Sequence, residues 1–306
     1  MSSKNPTDPT FRSYTAVQAQ TYAAERGSYS KELYDIVLNY HSRRRGQFNQ
    51  LLDVGCGPGN VTRDLSGFFD CASGIDPSAE MITIARNQNG KTKSGNDIRF
   101  EISSAEELSK VKGVRAETVD LLTAGMAAHW FDMDTFWAEA ATVLKPNGSV
   151  ALWTLASFYC HPSTPNAAEV QRVLFNLERK ILAPFELPSN RLSRDMYDNL
   201  LLPWDVVPPV TTFSPSDFVR YEWDRNGILS DGNSFFGESE ECSLDDLEKK
   251  LSTASMITRW RKANPEFADT EKDCVRETIR QLREALGGQT SFIQGAATVI
   301  LLFRKR

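Results

Sequence analysis

Apolar and polar positions follow two rhythms in the first half of the chain. Compact apolar runs at 51–54, 72–75, 98–102, 119–124 and 149–155 have the length and composition of buried strands. Between them, apolar residues recur at three- and four-residue spacing, the period of a helix with one buried face. Ser30 is the expected N-cap of a helix over 31–45 that places Leu33, Ile36, Val37 and Tyr40 on one side, and a helical segment over 14–29 precedes it. Val61, Leu65 and Phe68 mark a helix after the first strand, Met81, Ile82 and Ala85 one after the second, and 135–144 one after the fourth. Strand alternating with helix predicts an α/β domain with a mostly parallel sheet.

The pattern changes at 157. Prolines cluster from Pro162 to Pro209, helical stretches replace the alternation, and the segment 157–290 reads as a mainly helical cap with one strand near 217–224. Two helix starts have the capping-box form, Ser243-Leu244-Asp245-Asp246 and Thr270-Glu271-Lys272-Asp273. The apolar run 296–303, within a final segment 291–306, supplies the seventh and last strand, whereas residues 1–13 are polar and expected to be a disordered tail. The expected division is therefore a tail over 1–13, a core over 14–156, a cap over 157–290 and the closing strand.

Composition narrows the function. With 306 residues, 41% of them hydrophobic, the chain can bury a large core, and a formal charge of −5 gives no electrostatic footprint for nucleic acid. Five scattered cysteines, never spaced as CxxC, suggest neither a disulfide framework nor a metal site. No leader-like or membrane-spanning run is evident, so a cytoplasmic protein without a membrane partner is expected, with a monomer as the default.

Candidate chemistry concentrates in Leu51-Leu52-Asp53-Val54-Gly55-Cys56-Gly57-Pro58-Gly59-Asn60. A strand ends there in glycines at every second position and a helix follows, an arrangement that brings bare backbone against a ligand. The dinucleotide fingerprint needs its third glycine where this chain has Asn60, which weakens an NAD-dependent oxidoreductase reading. Asp53, two places before Gly55, is placed to accept from a cationic ammonium. Asp76 ends the second strand about 20 residues beyond the first glycine, the interval at which an acid reaches a ribose hydroxyl pair.

Together these residues resemble motif I and the following acid of class I S-adenosylmethionine-dependent methyltransferases. The resemblance implies a Rossmann-like, seven-stranded, mostly parallel sheet with helices on both faces. It also implies S-adenosylmethionine as cofactor, leaving as S-adenosylhomocysteine. Gly55, Cys56, Gly57 and Gly59 would line the cofactor, Asp53 and Asp76 would hold its two ends, Ile75 and Pro77 would be available to the adenine face, and Met81 would be a further cofactor contact. The segment from Tyr22 to Tyr29 resembles the "Y-A-x-x-R-x-x-Y" lead-in of small-molecule methyltransferases, which implies a lid contributing Tyr22 and Arg26. Ser103-Ser104-Ala105-Glu106-Glu107-Leu108 resembles the family's "G-D-A-E-x-L", with Ser104 in place of the aspartate that meets the adenine amino group. Ser104, Ala105 and Glu106 are accordingly candidate cofactor contacts.

After the fourth strand, Ala124 to Asp132 resembles the family's "A-H-W-F-D" string. That loop implies cofactor contacts from Ala124 and Met126 and substrate contacts from His129 and Trp130, with Tyr22 from the lid, and His129 as the candidate base or clamp. Gly125 departs from the glutamine or asparagine common there. Lys145-Pro146-Asn147-Gly148 resembles "L-K-P-G-G", with Asn147 tolerating a left-handed conformation.

Chain length, lead-in and loop string together resemble fungal trans-aconitate methyltransferases and their secondary-metabolite relatives. The implied reaction is O-methylation of a carboxylate or S-methylation of a thiol on a small molecule, since neither acceptor demands a strong base. A tricarboxylate would call on cap arginines: Arg191, Arg194, Arg220, Arg225, Arg259 and Arg261 are the candidates. Seven aromatics between 200 and 240 are an alternative lining for an apolar acceptor. A cofactor-binding regulatory module without turnover is the reading from another class, motivated by Gly125 and Ser104. A nucleic-acid methyltransferase ranks lower, because Ala124-Gly125-Met126-Ala127 stands where amino-methylating enzymes carry a polar-Pro-Pro-aromatic string.

Overall fold

The computed structural model describes residues 15–25, 27–43, 45–237 and 239–306. The tail expected over 1–13 and the candidate Arg26 lie outside the described residues. Helix α1 (Ala16–Glu25) leads into α2 (Lys31–Ser42), where the Ser30 hydroxyl accepts from the Leu33 amide as the cap expected there. The alternating part then runs β1 (Gln50–Val54), α3 (Asn60–Ser66), β2 (Cys71–Asp76), α4 (Ala79–Asn87), β3 (Arg99–Ile102), β4 (Val119–Gly125), α5 (Met133–Val143) and β5 (Leu144–Cys160). Beyond β5 follow α6 (Ala167–Asn176), α7 (Pro188–Arg194), β6 (Val219–Trp223), β7 (Glu240–Ser243), α8 (Leu244–Ser252), α9 (Ser255–Ala263), α10 (Cys274–Ala285) and β8 (Ser291–Arg304).

The strands form one sheet in the order β3-β2-β1-β4-β5-β8-β6, with β7 also paired to β8. Strands β1 to β5 are mutually parallel, and β8 runs antiparallel between β5 and β6. The expected Rossmann-like, mostly parallel sheet is therefore present, with eight strands rather than seven. The extra one arises because β8 is 14 residues long: β6 pairs with its residues 298–302 and β7 with 291–294, so two short strands share one edge.

Side-chain alternation puts the sheet between two apolar layers. Leu51, Leu121, Ala151 and Trp153 pack under α2 and α3 on one face; Leu52, Leu122, Val150 and Leu152 pack under α5 on the other. Both faces are covered, as a parallel sheet requires. Strand β5 runs past the expected end at 155, with a bulge between Leu155 and Phe158, and its extension to Cys160 meets β8. A second apolar cluster gathers around Cys160, Cys242 and Phe292 with Val170, Leu247, Ile257 and Leu282 from α6, α8, α9 and α10.

Two local expectations resolve differently. The Ser243 hydroxyl caps α8 by accepting from the Asp246 amide, but α10 begins at Cys274 and is capped by Asp273, which accepts from the Val275 amide, and not by Thr270. The Asp273 carboxylate is buried and also held by Arg261, so tertiary pairing moves the helix start three residues on. Asn147 adopts φ 67°, the left-handed conformation expected of it. No helix among the described residues is long and apolar enough to cross a membrane.

Candidate active site

The carboxyl ends of the parallel strands bring the candidate residues onto one edge. The turn after β1 is left-handed at all three glycines, with φ of 68°, 53° and 88° at Gly55, Gly57 and Gly59. A β-carbon on Gly57 would meet nothing within 4 Å, so bare backbone faces open space at the turn's tip. At Gly55 it would lie 2.6 Å from the Ala127 β-carbon, which fixes how closely the turn approaches the loop after β4.

Asp76 ends β2 beside this turn. Its Oδ2 accepts the Gly57 amide at 3.0 Å and its Oδ1 the Ser78 amide at 2.9 Å, and the carboxylate remains half-exposed. A carboxylate oxygen can accept more than one hydrogen bond. The Ser78 hydroxyl caps α4 through the Met81 amide, and Met81 is buried against Ala19 and Tyr22 of α1. The lead-in helix thus rests on α4, next to the acid. Pro77 is exposed, and Cys56 is buried with its thiol pushed up, chiefly by that burial.

Asp53 is not on the surface of the site, contrary to the expectation that it meets an ammonium. It is 1% exposed, and its two oxygens accept from the hydroxyls of Thr62 at 2.7 Å and Thr123 at 2.8 Å. Burial pushes its carboxyl up to about 7, against the lowering effect of the two threonines. Asp53 ties α3 and β4 together behind the turn, and so acts through the backbone it positions.

The loop after β3 closes against Asp76 through the Ser103 amide, which donates to the Asp76 carbonyl at 3.2 Å. Ser104 is half-buried and Ala105 buried. Glu106 is committed elsewhere: its Oε1 accepts the Asp132 amide at 3.0 Å and ties this loop to the one after β4.

The loop after β4 departs most from expectation. His129 is 4% exposed, its Nδ1 lies 3.1 Å from the Tyr197 hydroxyl, and burial lowers its pKa to about 3. It is therefore a neutral, packed imidazole and not the accessible base or clamp expected. Trp130 lies beside it with the rings tilted and their centroids 5.0 Å apart, and is partly buried against the core. Ala124 is fully buried. Met126 takes φ 54°, and its sulfur accepts from the Leu155 amide at 2.9 Å and the Thr154 hydroxyl at 3.1 Å. Strand β4 ends opposite Trp153, so the next amide of β5 facing that side lacks a strand partner and takes the thioether instead. The Met126 sulfur is thereby spent on the scaffold.

Gly125 has a packing reason. It pairs with Trp153 on β5, and a β-carbon there would lie 2.7 Å from the indole ring. The tryptophan occupies the space a longer side chain would need. Thr62, Thr123, Trp153 and Tyr197 were not legible as site residues, because each acquires its role from a partner 9 to 70 residues away.

The six cap arginines do not converge. Arg191 and Arg194 pair with Glu186, Arg220 and Arg225 with Asp198 and Glu222, and Arg261 with Asp273, while Arg259 donates to the Phe185 carbonyl and Asn190. Phe213 and Phe235 are buried in the main core, and Trp204 and Phe218 pack on Phe303. These aromatics are structural.

Residues 52–152 match the family model described as a methyltransferase domain. A methyltransferase of Aspergillus terreus is 30% identical over 319 aligned positions, covering 93% of this chain and 92% of the relative. A Saccharomyces cerevisiae protein named "Probable S-adenosylmethionine-dependent methyltransferase CRG1" is 26% identical over 84% of this chain and 85% of its own length. Among solved structures, a protein described as a "Putative Type II Methyltransferase from Anaeromyxobacter dehalogenans" superposes with a TM-score of 0.61 at 23% identity, covering 92% of this chain and 97% of the other, a likeness of fold. With the glycine turn and Asp76 on the sheet's carboxyl edge, these relationships place the chain among the class I S-adenosylmethionine-dependent methyltransferases.

Proposed function

We propose that this methyltransferase acts on a small molecule, methylating a carboxylate oxygen or a thiol sulfur. The observation that carries the reading is that His129, the one imidazole of the loop after β4, is buried and neutral and so is no effective base near pH 7. An acceptor that ionises by itself suits such a site; a carboxylate is already charged at neutral pH and a thiol, with a pKa of about 8.5, is partly so.

The residues on the edge fit the cofactor. Gly57 offers open backbone at a positive φ, and the half-exposed Asp76 carboxylate stands beside it with lone pairs to accept from vicinal hydroxyls. Ser104, Ala105 and Met81 are the neighbours suited to an adenine, and α1, resting on α4, supports the lid reading for Tyr22. When bound, S-adenosylmethionine supplies an electrophilic methyl group on a sulfonium. The protein's task is then to align the two reactants and exclude water, an effect on the order of 7–11 kcal/mol for a well-oriented pair.

Paired cap arginines favour an acceptor with one anionic group over a tricarboxylate of the trans-aconitate kind. The regulatory reading loses one of its motives, since Gly125 is explained by the Trp153 ring. The test is methyl-tritiated S-adenosylmethionine incubated with the protein and pools of carboxylate and thiol metabolites. Label released as methanol by mild alkali identifies a methyl ester and alkali-stable label on sulfur a thioether. Label confined to amines, or none transferred, refutes the proposal.

A further inference from the structure

We propose that the indole N–H of Trp153 donates a hydrogen bond to the carboxylate at the amino-acid end of the methyl donor. Trp153 is fully buried, yet Nε1 has no hydrogen-bond partner among the described residues. A buried donor left unpaired is costly, and tryptophan N–H groups are normally satisfied, so its retention in a site is informative. The ring edge carrying Nε1 faces the bare α-carbon of Gly125: a β-carbon there would lie 2.9 Å from Nε1 and 2.7 Å from Cε2. Any side chain at this position would press on Nε1, and glycine leaves only backbone beside it.

Sheet order says which end of the ligand would meet it. Asp76 and the Ser103–Ser104 loop lie at β2 and β3, on one side of β1, and define the nucleoside side. Gly125 and Trp153 lie at β4 and β5, on the other side, and Ala127 touches Gly55, the first residue of the turn. A ligand with its ribose at Asp76 that crosses the turn therefore brings its amino-acid end toward Trp153. The described aromatic rings packed on the indole, those of Tyr29 and Tyr34, carry no positive charge. Tyr29 packs perpendicular to the indole with centroids 5.3 Å apart, in the segment joining α1 to α2. The inference rests on the cofactor placement proposed above.

The test compares S-adenosylhomocysteine with 5′-methylthioadenosine, which has the nucleoside and lacks the amino-acid portion. In protein labelled with ¹⁵N at the indole nitrogens, the Trp153 cross-peak, assigned by its loss in Trp153→Phe, should move downfield on adding S-adenosylhomocysteine and stay in place with 5′-methylthioadenosine. By calorimetry, Trp153→Phe should weaken S-adenosylhomocysteine about tenfold and leave 5′-methylthioadenosine unchanged. A cross-peak that responds to both ligands alike, or to neither while Asp76→Ala abolishes binding, overturns the proposal, the second result leaving the cofactor placement intact. Full binding by Asp76→Ala would overturn the placement and the proposal with it. Where Trp153→Phe folds poorly, the cross-peak is assigned by elimination through single Trp→Phe changes at the other five tryptophans, and the unaltered site still decides the matter.

Discussion

The Gly57 amide donates to Oδ2 of Asp76 across 3.0 Å, joining the tip of the glycine turn to the last residue of the neighbouring strand. The carboxylate is thus fixed before any ligand arrives, with its second oxygen held by the Ser78 amide. Asp76→Ala removes both tethers and the acceptor, and should weaken S-adenosylhomocysteine about 100-fold or more in a calorimetric titration, as expected for two hydrogen bonds to a charged group. Asp76→Asn keeps one carbonyl oxygen and loses the charge; a loss of about tenfold is expected, since bonds to charged groups are worth about 1.5–3 kcal/mol.

Gly57→Ala and Gly125→Ala separate binding from folding. At Gly57 an added methyl meets nothing within 4 Å but sits on a φ of 53°, so it should cost about 1–2 kcal/mol of strain and obstruct the ligand face. At Gly125 the methyl presses on the Trp153 ring at 2.7 Å, and overpacking of that kind costs about 1–3 kcal/mol. Urea unfolding should rank Gly125→Ala at or below Gly57→Ala in stability, whereas Gly57→Ala should lose more affinity per kcal/mol of stability lost.

Features decided within a few residues were legible before the structure. Ser30 and Ser243 cap the helices expected of them, Asn147 turns left-handed, and the apolar runs become the strands of an α/β sheet. Those set by distant partners were not. Nothing near Asp53 in the chain shows that Thr62 and Thr123 will enclose it, or that Tyr197 will reach His129. Strand β7 has only four residues and acquires its identity from the length of β8. The glycine at 125 looked like a missing contact because the tryptophan beside it belongs to another strand.

Asp53 makes stability depend on pH in an unusual direction. Its folded-state pKa of about 7 lies above the usual carboxylate value of 3.8, because burial disfavours the charge. The native state therefore holds more protons than the unfolded chain between those values, and stability from this group is full below pH 3.8 and lost as pH rises through 7. A shift of about three units corresponds to roughly 4 kcal/mol. Asp53→Asn should flatten the fall in unfolding free energy between pH 5 and 8, measured in urea; an unchanged slope would place the titration elsewhere. Thr123→Val, which leaves one oxygen without its donor, should destabilise by about 1–3 kcal/mol at pH 7.

His129 works in the opposite sense, and that separates a packing role from a catalytic one. Burial lowers its pKa from 6.5 to about 3, so the native state holds fewer protons than the unfolded chain in that window. The corresponding stability is full above pH 6.5 and lost as pH falls toward 3. His129→Phe should therefore reduce the acid sensitivity of unfolding, while costing about 1–3 kcal/mol near neutrality for the lost bond to Tyr197. A group that stays neutral throughout the working range cannot give turnover an inflection near 6.5. The pH profile of kcat/KM for the wild type should be flat across that value, and His129→Phe, assayed where it is folded, should keep kcat within about tenfold, since a positioned base contributes about 10²–10⁴-fold. A larger loss of kcat, together with an inflection near 6.5 that the variant abolishes, would mean that His129 leaves Tyr197 and reaches the acceptor during turnover.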